Sequence, residues 1–306
     1  MKYTAVIRTL GTAGDKYQQL LDSLDRQTIK PSEIIVYIAE GYNLPKETIG
    51  KERYVYVKKG MVAQRALRYD EVKTEYILFL DDDVFLPPTA VATLYNELNE
   101  MRGDVISPCV FYNHKASLKS KIIKTITGKE VCGLWGKSWA YKVLPTAGFS
   151  YLNTPKQRVY KSQSNAGPCF FCKKENFLKI EYHEEMWLDE TPYALPDDQV
   201  MFYKMHLMGL KVLTSFDSGI VHLDAGSTTA NTSDRMAKLI YSEYRNKLIF
   251  WYKFIYKSTK YWKLVSIIGI LYAYVVQGVK YMVLNRKYSS AFYEGVKDAW
   301  QYIKTI

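Results

Sequence analysis

Asp81, Asp82 and Asp83 stand in a row directly behind the apolar run Tyr76-Ile77-Leu78-Phe79-Leu80, and Pro87-Pro88 follow shortly after. Adjacent carboxylates repel unless a cation or hydrogen-bond donors hold them. Hard divalent ions such as Mg²⁺ and Mn²⁺ bind oxygen donors of this kind and share them with substrate phosphates. The chemistry expected here is therefore that of a metal–nucleotide site. An ordinary polar turn explains one or two aspartates after a strand, and three are more than it needs.

Two further groups can do chemistry. Asp197-Asp198 follow Pro196 and open a segment with an apolar face at Val200, Met201 and Met205. Carboxylates there cap a helix and meet the positive end of its dipole, and a carboxylate so held can still accept a proton. His222 closes the run Val221-His222 and is a structural histidine or, as neutral imidazole, a metal ligand. Cys169 and Cys172 form a CxxC, but Cys109 and Cys132 lack the spacing of a second zinc pair, so all four read as small buried residues. Gly11-Thr12-Ala13-Gly14 does not make GxGxxG and no GxxxxGK[ST] occurs, which removes the main support for dehydrogenase and P-loop readings.

The acids need elements to hold them. Tyr3–Ile7, Glu33–Ile38, Tyr54–Val57, Tyr76–Leu80 and Asp104–Ser107 read as strands. Asp15–Gln27, Met61–Val72 and Thr89–Met101 read as helices between them. This alternation predicts an α/β domain with a mostly parallel sheet, and the aspartates fall where a strand leaves it. Residues 111–163 are less regular and read as a substrate-binding insert. Helices over Lys174–Ile180 and Asp197–Met208 follow, with strands at Lys211–Leu213 and Gly219–His222. The small polar stretch Asp224–Asp234 divides a main domain, 1–234, from a C-terminal region, 235–306.

Charge separates the same two regions. The chain carries 42 Lys+Arg and 31 Asp+Glu, of which 13 and 3 lie in residues 235–306. The net charge of +11 thus belongs almost wholly to that region. Leu264–Leu284 is long enough to cross a bilayer, but Ser266, Gln277 and Lys280 interrupt it. The aromatics and lysines of Tyr241–Trp262 suit a headgroup layer. The readings are helices lying in the interface, one spanning helix, or soluble packing. No nucleic-acid module accompanies the basic surface, and nucleic acid is not expected as a partner. Met1 leads straight into a strand-like segment rather than a signal peptide, which fits reduced thiols and a cytoplasmic site.

The order of these motifs resembles family 2 glycosyltransferases of the GT-A fold, over about residues 3–250. The resemblance is carried by Val6-Ile7-Arg8-Thr9, by Gln27-Thr28 with Pro31-Ser32-Glu33-Ile34-Ile35-Val36, by Tyr76 through Asp83 with Pro87, by Trp187-Leu188-Asp189-Glu190, by Asp197-Asp198 and by His222. It implies a GT-A catalytic domain with a C-terminal helical membrane-associating extension. It implies a nucleotide-sugar donor (UDP-, dTDP- or GDP-linked), Mn²⁺ or Mg²⁺, and inverting transfer of one sugar. Asp81 and Asp83 match the D-x-D pair that holds metal and diphosphate, and His222 a histidine that completes the metal site. Asp198 matches the general base. Thr9, Arg65, Asp81 and Asp82 match the nucleotide pocket, and Glu40 stands where the family places a base- or ribose-binding acid. Asp189, Glu190 and Asp197 match acceptor contacts. Gln-x-x-Arg-Trp, the mark of processive synthases, is absent. The implied role is that of a non-processive rhamnosyl- or galactosyl-type transferase. It would act on a polyprenyl-linked saccharide, peripheral or monotopic at the inner face of the cell membrane, in surface polysaccharide assembly. The competing classes are a silent α/β module that binds membrane or nucleic acid, and a metal-dependent nucleotidyltransferase.

Overall fold

The computed structural model describes residues 1–110, 117–132, 138–152, 154–223, 232–259 and 261–306. In chain order the elements begin β1 (Tyr3–Thr9), α1 (Asp15–Asp25), β2 (Glu33–Ala39), β3 (Glu52–Val57), β4 (Tyr76–Asp81), β5 (Val84–Phe85), α2 (Ala90–Glu100) and β6 (Val105–Pro108). There follow α3 (Leu118–Ile126), β7 (Glu130–Cys132), β8 (Tyr141–Val143), β9 (Phe149–Tyr151), β10 (Val159–Lys161), β11 (Cys169–Lys173) and α4 (Lys174–Leu178). A 3₁₀ segment (Tyr182–Glu190) precedes α5 (Asp197–Leu207), β12 (Val212–Ser215) and β13 (Val221–His222). The chain ends in α6 (Ser233–Phe250), a π-helical turn (Trp251–Tyr256), α7 (Lys263–Val283) and α8 (Ser289–Ile303).

Eight strands form one sheet in the order β10-β12-β6-β11-β4-β1-β2-β3. The half built on β4-β1-β2-β3 is parallel, as the alternation predicts. The sheet as a whole is mixed, because β11 runs antiparallel between β4 and β6, and β10 antiparallel to β12. Alternate residues of each strand feed two cores. On one face Tyr3, Ala5, Ile7, Leu78 and Leu80 pack with Leu20, Leu24 and Leu94 of α1 and α2. On the other, Val6, Phe79 and Phe170 pack with Val200 and Met205 of α5. Cys169 and Cys172 fall on opposite faces, both fully buried, and burial drives both thiols well above their ordinary pKa. They cannot share a zinc ion.

Two sequence expectations change. Met61–Val72 is not a helix but a series of turns, with Tyr69 at φ 53°. Its apolar residues Val62, Tyr69 and Val72 are buried as a helix face would be. Local turn bonds hold part of its backbone, and the Val62 and Ala63 amides are held by the distant Asp189 side chain. The insert contains α3 and a three-stranded sheet, β7-β9-β8, while β10 joins the edge of the main sheet. The polar stretch 224–234, read as the division between the two regions, lies outside the described residues up to 231.

The C-terminal region shares the main core. Ile249, Phe250, Phe254, Ala299 and Ile303 belong to the same buried cluster as Phe79 and Phe170. The Phe250 ring meets Tyr203 edge-on at 5.7 Å. Lys263–Val283 is the one helix among the described residues long and apolar enough to cross a membrane.

Candidate active site

The three aspartates leave the C-terminal edge of the parallel half-sheet, and each meets a different partner. Arg8 on β1 is the register partner of Asp81 on β4. Its guanidinium clasps that carboxylate through Nε and Nη2, the latter at 3.0 Å, and Arg65 adds a contact at 3.9 Å. Burial alone would raise the Asp81 pKa, but the Arg8 charge and hydrogen bonds with Arg65 outweigh it and hold it below the usual carboxylate range. Asp82 accepts from the Thr9 hydroxyl, whose oxygen in turn accepts from the Gly11 amide at 2.8 Å. Burial, with Asp81 and Asp83 repelling and Thr9 only partly offsetting, pushes Asp82 up to about 6.

Asp83 faces His222. The short pairing of β13 with β5 sets Val221 opposite Phe85 and His222 opposite Val84. The Leu223 amide donates to the Asp83 carbonyl at 2.8 Å. Asp83 Oδ1 then lies 2.9 Å from His222 Nε2. A Mg²⁺-like ion takes near-octahedral ligands at about 2.0–2.1 Å, so adjacent ligand atoms stand roughly 3 Å apart. The Asp83–His222 spacing fits that edge. Asp81 is taken up by Arg8, and among the described residues no group of three or more His, Cys, Asp or Glu side chains converges. Among the described residues, Asp83 and His222 are thus the two side chains that would hold a cation of this type.

Asp81, Asp82, Asp83 and His222 line one open cleft of about 470 Å³, with Arg8, Thr9, Thr12, Lys16 and Gln64. Thr12 and Lys16 belong to the turn and first helical turn after β1, as a phosphate-facing wall would require. The sequence assigned no role to Arg8, Thr12, Lys16 or Gln64; Arg8 lies at the end of the first strand and Thr12 and Lys16 follow it, which was their available signal, whereas Gln64 had none. Glu40, by contrast, is exposed at the end of β2 and does not line the cleft.

Asp197 and Asp198 begin α5, as their sequence position predicts. Buried Arg65 joins them, with Nη1 3.0 Å from Asp197 Oδ2 and 2.5 Å from Asp198 Oδ1. Its Nη2 donates to the Gly167 carbonyl at 3.2 Å. The Gly167 amide donates to Asp198 Oδ2 at 2.9 Å. Asp198 does not line the cleft itself and is connected to it through Arg65 and Asp81. Its side chain keeps 23% exposure, against 9% for Asp197. Burial and the neighbouring Asp198 push the Asp197 carboxyl up despite Arg65 and Arg8.

The remaining acids are engaged. Asp189 accepts from the amides of Val62 and Ala63 at 3.1 and 2.8 Å. It thereby fixes the turn that carries Gln64 and Arg65. Gln64 in turn donates to the Thr9 carbonyl at 3.1 Å. Glu190 pairs with Arg245 of α6, and Arg245 also donates to the Trp187 carbonyl at 3.1 Å.

No protein-family model and no curated protein matches the sequence. Solved structures do match its shape. GalNAc-T7, solved with UDP, GalNAc and Mn²⁺, superposes with a TM-score of 0.51 at 12% identity, covering 86% of this chain and 53% of that one. S. aureus TarS gives 0.49 at 11% identity, covering 92% of this chain and 44% of that one. The fold is GT-A. The chain spans about half the length of the solved chains it matches. At such identity the likeness concerns architecture alone.

Proposed function

We propose that the protein is a metal-dependent, inverting glycosyltransferase of the family 2 kind, moving one sugar per encounter from a nucleoside-diphosphate sugar to an acceptor hydroxyl. The observation that carries this is the Asp83–His222 pair, spaced as adjacent cation ligands on the wall of a GT-A cleft that Thr9, Asp82 and Lys16 also line. The solved GalNAc-T7 holds UDP and Mn²⁺, which agrees with a donor and ion of this class.

In this reading Asp83 and His222 would hold Mn²⁺ or Mg²⁺, and the ion would supply positive charge against the departing diphosphate. Thr9, Asp82 and the turn through Lys16 seat the nucleotide, and Arg8 keeps Asp81 ionised beside it. Asp198, aimed by the Gly167 amide and Arg65, takes the proton of the acceptor hydroxyl as that oxygen attacks the anomeric carbon from the face opposite the leaving group. A single displacement of this kind inverts the centre. Asp197 beneath it stiffens the start of α5. Asp189 and Glu190 hold the wall of the acceptor side through the 61–66 turn and through α6. The catalytic part is assigned to residues 1–234 and membrane association to 235–306. The basic, aromatic C-terminal region favours a polyprenyl-linked saccharide as acceptor. It also favours a place at the cytoplasmic face of a membrane, in surface polysaccharide assembly.

The test is a thermal-shift screen of UDP-, dTDP- and GDP-sugars with and without Mn²⁺, followed by donor hydrolysis or transfer. Release of nucleoside diphosphate, lost in Asp83→Ala and Asp198→Asn, supports the reading. Full activity in both variants, or transfer of the nucleotide itself, overturns it.

A further inference from the structure

Helix α7 is turned inside out for a helix in water. Its polar side chains face the protein: Ser266 is 2% and Gln277 1% exposed. Ile270, Ala273 and Tyr281 face the protein with them, while a second apolar stripe faces outward, with Ile268 at 58%, Leu271 at 58% and Val275 at 64%. A helix on a soluble core shows the opposite arrangement. The helix is also fastened to the body along its length. Trp251 Nε1 donates to the Ser266 carbonyl at 3.1 Å, and the Tyr274 hydroxyl to the Tyr244 carbonyl at 2.7 Å. Gly269 sits so close to Pro145 that a Cβ there would stand 3.0 Å from its ring. Crossing a bilayer would mean giving up these contacts.

The outward face does not stop at α7. The Tyr272 hydroxyl donates to the Ile126 carbonyl at 2.6 Å, which joins α7 to the end of α3, far away in sequence. Helix α3 buries no residue, and its own apolar side chains are open: Leu118 at 74%, Ile122 at 50% and Ile126 at 54%. Residues 117–129 and 261–293 contain no Asp or Glu. Lys119, Lys263 and Lys287 are exposed in these stretches, and none has a carboxylate partner among the described residues. An apolar face rimmed by cations that no carboxylate neutralises is complementary to anionic headgroups above acyl chains.

We propose that α3 and the outer face of α7 form one surface that seats on an anionic lipid monolayer without crossing it. The surface buries Ile122, Ile126 and the open face of α7 at the acyl boundary and sets Lys119, Lys121 and Lys263 among headgroup phosphates. This rests on the membrane-facing part of the proposed function and extends it to a helix inside the first 234 residues. The catalytic domain is thereby held at two points and in one orientation.

The experiment is co-sedimentation of the full chain with vesicles of equal parts phosphatidylcholine and phosphatidylglycerol, with no activity readout, so that its failure leaves the catalytic reading standing. The Ile122→Asp/Ile126→Asp variant is expected to bind about tenfold more weakly or worse. Lys119→Ser/Lys121→Ser is expected to lose roughly fivefold per lysine on anionic vesicles and nothing on pure phosphatidylcholine. Leu118→Asp, at the most open position of α3, repeats the first test should the double variant melt early. Wild-type binding by the α3 variants overturns the proposal, leaving α7 alone as anchor. So does a dimer that those variants dissociate while vesicle binding persists, since a second copy then covers the face. Absence of binding by the wild-type chain overturns it too.

Discussion

The amide of Gly167 donates to Asp198 Oδ2 across 2.9 Å, and no side chain fits between the two residues. A Cβ on Gly167 would stand 2.0 Å from Asp198 Oδ1 and 2.5 Å from its Cγ. The loop before β11 thus fixes where the proposed base points. Gly167→Ala should push the carboxylate off its line and lower kcat by about a hundredfold, with donor KM nearly unchanged. Asp198→Asn should cost about 10²–10⁴ in kcat. Steady-state kinetics with the donor found in the screen checks both. A Gly167→Ala enzyme with wild-type turnover would detach Asp198 from the chemistry.

The pairing of Asp83 with His222 predicts a shared effect on metal dependence. Asp83→Asn and His222→Gln should each raise the Mn²⁺ concentration needed for half-maximal thermal stabilisation in the presence of nucleoside diphosphate. The shift should be at least the about 10- to 100-fold that loss of an outer-shell partner costs. A His222→Gln protein that titrates like wild type would leave Asp83 to bind alone.

Asp189 acts on the 61–66 turn rather than on solvent. Asp189→Ala removes a charged acceptor from the Val62 and Ala63 amides. Chemical denaturation should show a loss of about 2 kcal/mol. Because Gln64 and Arg65 ride on the same turn, donor KM should rise as well. Unchanged stability would mean that the turn holds itself.

Lys247 of α6 is buried beside Glu243, which Lys129 already pairs at 2.6 Å. Burial and the Lys129 charge, against the pull of Glu243 and Glu130, push its ammonium down to about 8. The unfolded chain keeps that proton up to an ordinary lysine value near 10.4, so it binds more protons than the folded one between about 8 and 10. The penalty is full below pH 8 and fades as pH rises through that window. Lys247→Met should therefore melt above wild type at pH 7, and the gap should narrow by pH 10. A gap independent of pH would assign the effect to packing.

What the sequence made legible follows from periodicity. β1, α1, β2 and β4 show clear spacing of apolar residues, and Asp197–Asp198 at a helix start is a local signal. Direction is not local: nothing in Cys169-Phe170-Phe171-Cys172 says that it runs antiparallel between β4 and β6. Met61–Val72 carries helical spacing, but its Val62 and Ala63 amides are held from Asp189, in a part of the chain that no local rule reaches. The clasp of Arg8 on Asp81 needs the register of two strands before it can be seen. The length of α7 was plain from composition, whereas the outward turn of Ile268 and Val275 depends on what Ser266 and Gln277 touch. Glu40 looked placed for a nucleotide by its position after β2, yet that strand ends outside the cleft.

The two thiols of β11 point into different halves of the interior. Both are fully buried while the sheet is closed, so an alkylating reagent meets Cys169 only when the α1–α2 layer lifts and Cys172 only when the α5–α6 layer does. Mass spectrometry of singly labelled chains would then tell which side of this protein comes apart first, with two sulfur atoms serving as clocks the molecule already carries.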